Sequence, residues 1–140
     1  MHSEKQIIKA KKYTIEIDHQ KKIIFMDFFG IATKEEVEQF HETYIAEIIP
    51  LKTEEYLLLL NSIHMQKPDN ERLHEMQVSF ALYRKSGFKE ICFIFINDEF
   101  RKSMKRLIGF SGMSSISDVT LTTPDEVDEV IRQHIESDTN

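Results

Sequence analysis

Two Glu-x-x-His pairs on predicted helices, Glu38/His41 and Glu71/His74, are the first residues whose types and spacing could do chemistry. Such pairs ligate di-iron centres in four-helix bundles, where further glutamates complete the set. Here strands separate the two predicted helices, and each pair lies beside its helix's apolar stripe. The expectation is solvated helix-face residues and no metal site. Ser62, His64 and Asp69 could be drawn as a hydrolytic triad. No G-x-S-x-G elbow surrounds Ser62, however, and closeness in sequence is not triad geometry. Ser62 reads instead as a residue that caps or turns the chain after a strand. Gly109–Met113 superficially suggests a phosphate loop, but it lacks G-x-x-x-x-G-K-[ST] and follows a helix rather than preceding one. Cys92, the single cysteine, sits in the run ICFIFI and reads as a small buried thiol, since a reactive one needs a basic, partly exposed setting. No catalytic residue, metal or cofactor is set up by spacing, and the expectation is a protein that is not an enzyme.

The stretch that could hold a working surface is Tyr56–Met76. It reads as an apolar strand (Tyr56–Leu60), a polar break (Asn61–Pro68) and a helix opening at Asp69, which follows Pro68 as a good N-cap. In parallel α/β sheets, ligands and partners gather at the carboxyl ends of strands, beside helix N-termini.

The chain has 140 residues, suited to one domain with a proper core, and its 41% hydrophobic and 30% charged content is that of an ordinary globular protein. A net charge of −6 argues against a general nucleic-acid or anionic-membrane binder. Local basic patches remain at Lys9–Lys12 and Arg101–Arg106. A lone cysteine excludes an intrachain disulfide and a Cys-based zinc site. No apolar run approaches the roughly 20 residues that span a bilayer, and no signal peptide is evident. A cytoplasmic location is expected.

The elements that must position these residues follow in order. Residues 1–12 are polar and expected to be a flexible arm, residues 13–136 a single domain, and residues 137–140 a tail. Tyr13, Ile15 and Ile17 alternate with polar residues as in a half-buried strand. A short turn then favours an antiparallel hairpin with Lys22–Gly30. Thr33-Lys-Glu-Glu36 is a capping box opening a helix with the stripe Val37, Phe40, Tyr44 and Ile48. Tyr56–Leu60 has the solid apolar character of a strand buried on both faces. The second helix carries Leu73, Met76, Phe80 and Tyr83 and stops at Gly87. Ile91–Ile96 is the next strand, and Asp98 caps a third helix. Val119 and Leu121 mark a fifth strand. Thr123 at the N-cap, Pro124 at N1 and Glu126, completing a capping box, open a last helix, with Val127, Val130, Ile131 and Ile135 as its buried face. The fold class expected is α/β: an N-terminal hairpin, then β-α repeats forming a mixed sheet packed with about four helices.

The order and spacing resemble those of the STAS domain, the SpoIIAA-like fold of bacterial anti-sigma-factor antagonists and sulfate-transporter tails. The resemblance runs from about Tyr13 to Ile135. Ser79–Phe95 is similar to the family's second helix, its Gly stop and its central strand. Met104–Ile116 is similar to the third helix and its ending, with Ser111, Gly112 and Met113 in that ending, and Thr123–Ile131 matches the closing helix. The resemblance implies a non-enzymatic regulatory module that docks a protein partner: an anti-sigma-type factor, another STAS domain or a second copy in a homodimer. The implied docking residues are Asn61, Ser62, His64, Asp69, Asn70, Glu71 and Arg72. Family members carry a Ser or Thr phosphoacceptor in an Asp-Ser-Ser-Gly-like stretch at the start of this helix. Here the stretch is Asp69-Asn70-Glu71-Arg72, which keeps the acidic cap and lacks the hydroxyl. The alternative expectation is a carrier of a small hydrophobic ligand or lipid, with Phe25, Phe28 and Phe110 beside its pocket.

Overall fold

A computed structural model of the chain describes residues 5–65, 70–95 and 119–138, together with Glu99, Lys102, Lys105 and Arg106 as single helical positions. Six strands form one mixed sheet in sequential order: β1 (Lys5–Lys9), β2 (Tyr13–Asp18), β3 (Ile23–Gly30), β4 (Leu57–Met65), β5 (Glu90–Ile94) and β6 (Val119–Thr122). The first three are antiparallel and the rest run parallel from β3 onward. Three α-helices are described: α1 (Lys34–Glu47), α2 (Asn70–Ser86) and α3 (Val127–Asp138). The further helix expected near 98–108 lies mostly outside the described residues.

The hairpin between β2 and β3 is turned by Asp18, whose carboxylate accepts from the backbone N–H of Gln20 at 3.1 Å and of Lys21 at 2.9 Å. This is the local side-chain turn that Asp favours. Two-residue periodicity then divides the strand residues between two faces. Ile15, Ile17, Ile24, Met26, Leu58, Leu60, Ile91 and Phe93 join Phe40, Tyr44 and Ile48 of α1 and Phe80 and Tyr83 of α2 in the larger core. Ile23, Leu57, Leu59, Cys92 and Ile94 face the other way and meet α3 through Val130. Burial on both sides explains why β4 and β5 are almost wholly apolar.

Helix α1 begins as its sequence dictates. Thr33 N–H donates to the Glu36 carboxylate at 2.8 Å, and Glu36 N–H donates to the Thr33 hydroxyl at 3.1 Å. This reciprocal box satisfies two N–H groups that a helix start leaves open. Gly87 follows α2 at φ +69°, the left-handed conformation for which glycine has no steric penalty.

Four sequence expectations are corrected. Residues 5–9, assigned to a flexible arm, form edge strand β1, tied to β2 along five register pairs. Strand β4 runs five residues beyond Leu60: Asn61 ends the apolar run but not the ladder, and Asn61 still pairs with Asp27. The expected box at Thr123 does not form. Pro124–Glu126 is a 3-10 turn in which the Thr123 hydroxyl donates to the Glu126 carboxylate at 2.9 Å, and α3 starts only at Val127. Finally, α3 buries His134 and leaves Ile135 exposed, so its inner face at that turn is one residue away from the apolar pattern.

Candidate functional site

Strands β3 and β4 end side by side, and their register slips between Asp27/Asn61 and Phe29/His64, leaving one extra residue in β4. A bulge of this kind re-aims side chains at a strand end. Asn61 points to the α3 side and is buried. Its amide donates to Asp27 at 3.2 Å and its carbonyl oxygen accepts from Ile63 N–H at 3.3 Å. Burial raises the Asp27 pKa, against the lowering effects of the His64 charge, the Asn61 bond and the Phe28 backbone. Ser62 is also buried but lines the opposite side, towards α1 and α2. His64 is exposed and stacks on Phe29 with ring centroids 5.9 Å apart.

Of the seven expected docking residues, Asn61 and Ser62 are buried, on different sides of the sheet. His64 and Glu71 are exposed, the latter in the first turn of α2. Asn70 opens that helix and Arg72 lies one turn-position later, both placed by their backbone. Asp69 lies outside the described residues. Phe25 and Phe28, expected beside one pocket, are divided by the sheet: Phe28 packs on the larger core and Phe25 on the smaller one. Phe110 lies outside the described residues.

What the fold brings together is a partly open cavity of about 100 Å³ between α1, α2 and the sheet. Its buried floor includes Phe40, Leu60, Phe80 and Phe93, with the hydroxyl residues Ser62 and Ser79 set among them. Its half-exposed rim includes Lys12, Glu36, Met65, Glu75 and Met76. The β3–α1 connection completes it: Gly30 sits at φ +61°, and the chain turns there from the strand end into the helix.

Across one side of the cavity His41 Nε2 lies 2.7 Å from the Ser79 hydroxyl, joining α1 to α2. Burial lowers the His41 pKa, while the charges of Glu38 and Glu75 oppose the shift. His41 was expected on a solvated face. Instead it is half-buried against the neighbouring helix. The signal was present in part, because His41 and Ser79 each immediately adjoin a stripe residue, Phe40 and Phe80. Which helix each edge would meet was not written in either segment. The pair is a helix-to-helix link. Among the described residues, no three His, Cys, Asp or Glu side chains are grouped to hold a metal ion. Cys92 is buried, and its thiol is pushed up to about 12, chiefly by burial. No described helix is long and apolar enough to cross a membrane.

No family model matches the chain, and no curated protein is similar to it in sequence. Among solved structures, it superposes with the crystal structure of an uncharacterized DUF3478-family protein with a SpoIIAA-like fold from Shewanella loihica PV-4. The TM-score is 0.56 at 14% identity, covering 89% of this chain and 87% of that one. Likeness at this identity concerns the fold and leaves function open. The antiparallel opening, the parallel strands that follow and the helices on both sheet faces are thus those of a SpoIIAA-like fold.

Proposed function

We propose that the protein works by binding rather than by catalysis, and that its site is the α1–α2 cavity, which takes a small, mostly apolar ligand. The observation that carries this reading is the cavity's make-up: a buried aromatic and aliphatic floor, two inward hydroxyls and a half-exposed rim. Small-molecule sites have this composition, apolar walls with few convergent polar groups. The size sets the class of ligand, since an engineered apolar cavity of about 150 Å³ holds benzene. A flexible methionine pair, Met65 and Met76, lines the rim and can adapt to the shape of an occupant. The test is a titration of methyl-labelled protein with benzene and short-chain alcohols, followed by NMR. Saturable shifts at Met65 and Met76, reduced in Ala32→Phe, are expected. Unmoved methyls across the whole panel would remove the cavity as a binding site.

A second reading, a regulatory module that docks a protein partner, is favoured by the exposed His64 and Glu71 at the β4–α2 junction. The absence of a hydroxyl at residues 69–72 predicts that no kinase places phosphate there. Recovery of a partner from the native host by wild type but not by Glu71→Lys or His64→Ala supports docking at this junction. Equal recovery by all three moves the interface elsewhere.

A further inference from the structure

We infer that the ligand of this cavity is a small monocarboxylate, with its apolar end on the aromatic floor and its carboxylate at the Lys12 ammonium. The inference rests on the binding-site reading above and adds the chemical class. Lys12 is set in place by its backbone, since its carbonyl accepts from Phe29 N–H at 2.9 Å. Its side chain turns over Gly30, where a Cβ would stand 3.6 Å from Nζ. The ammonium is thereby brought over the strand end at the cavity rim, and Lys12 is half-buried rather than extended into solvent. Lys12 forms no ion pair among the described residues.

Two carboxylates share this rim. Glu36 accepts from Thr33 N–H in the capping box, and Lys12 acts on it only as a nearby charge. Glu75 stands on the α2 side, where its charge acts on His41. Among the described residues no acceptor takes a hydrogen bond from the Lys12 ammonium, and Glu36 meets it only as a nearby charge. An incoming carboxylate supplies that acceptor and gains a charge-assisted hydrogen bond. The cavity volume limits the apolar part to about four or five carbons when compared with the benzene-sized case. Gly30 contributes by absence, because a side chain there is disfavoured at φ +61°.

The full chain is titrated with pentanoate, pentan-1-ol and pentan-1-amine, reading the Met65 and Met76 methyls by NMR. Wild type is expected to bind pentanoate about tenfold more tightly than the alcohol, with the amine no better than the alcohol. In Lys12→Met, pentanoate should fall to the alcohol's affinity while the alcohol is unchanged, and Lys11→Met should keep the preference. Melting curves confirm that each variant is folded. Equal binding of acid and alcohol by wild type, or an acid preference that survives Lys12→Met, overturns the carboxylate inference and leaves the cavity reading in place. A preference for the amine overturns it too and transfers recognition to Glu36 and Glu75. Silence of both methyls with all three probes overturns the binding site itself.

Discussion

At Asp27 burial and hydrogen bonding pull in opposite directions, and burial wins, so the carboxyl titrates above its ordinary value. A raised folded pKa means that this group favours the folded state at pH below its ordinary value. That contribution is lost as pH rises through the folded pKa. Asp27→Asn keeps an oxygen for the Asn61 amide and carries no charge. It should raise the thermal midpoint at about pH 7 and lose that advantage near pH 3. A lower midpoint at neutral pH would show that the charge itself is needed. Cys92 offers a second residue-scale test. With the thiol pushed up to about 12, no appreciable thiolate exists near neutrality. Labelling by iodoacetamide should proceed only as fast as the chain opens. Labelling of native protein at the rate of a free thiol would contradict the buried position.

Among the elements, α3 shows how one polar residue can dock a helix. His134 Nε2 donates to the Lys21 carbonyl at 2.9 Å, its Nδ1 accepts from the Lys89 ammonium at 3.1 Å, and Lys89 also donates to the His134 carbonyl at 3.2 Å. The bonds join α3 to the hairpin turn and to the start of β5. His134→Leu removes the hydrogen bonds made by a buried imidazole and should cost about 1–3 kcal/mol in urea unfolding. Ile135→Ala, at an exposed site, should change stability by less than about 0.5 kcal/mol. The apolar period of α3 predicts the reverse order, with Ile135 inside. Measuring both variants decides between pattern and packing.

For the whole molecule, the edge of the sheet is the most testable feature. Strand β1 covers β2, sets Ile8 and Ala10 against the larger core, and adds a Gln6–Glu47 hydrogen bond of 2.9 Å and a Lys5–Glu16 ion pair of 3.2 Å. The exposed ion pair adds little; the ladder and the apolar contacts are what hold the strand. Removing residues 1–10 should cost about 2 kcal/mol from lost burial and leave β2 as an open edge prone to self-association. Urea unfolding and sedimentation read the two effects. An unchanged midpoint would return this segment to the status of a loose arm.

Local chemistry by itself determined the two-faced strands, the Thr33–Glu36 start of α1 and the Gly87 stop of α2, because each depends on neighbours close in sequence. Only the tertiary structure decided which side chains meet. The pairing of β3 with β4 brings Asn61 to Asp27, and the sheet parts Phe25 from Phe28. The packing of α1 on α2 brings His41 to Ser79 across 38 positions of chain. Lys12 reaches the cavity because β2 and β3 pair in one register, and no local pattern in its own segment encodes that approach. Contacts between distant segments depend on register, crossing and burial together, so the cavity became visible only once all three were set.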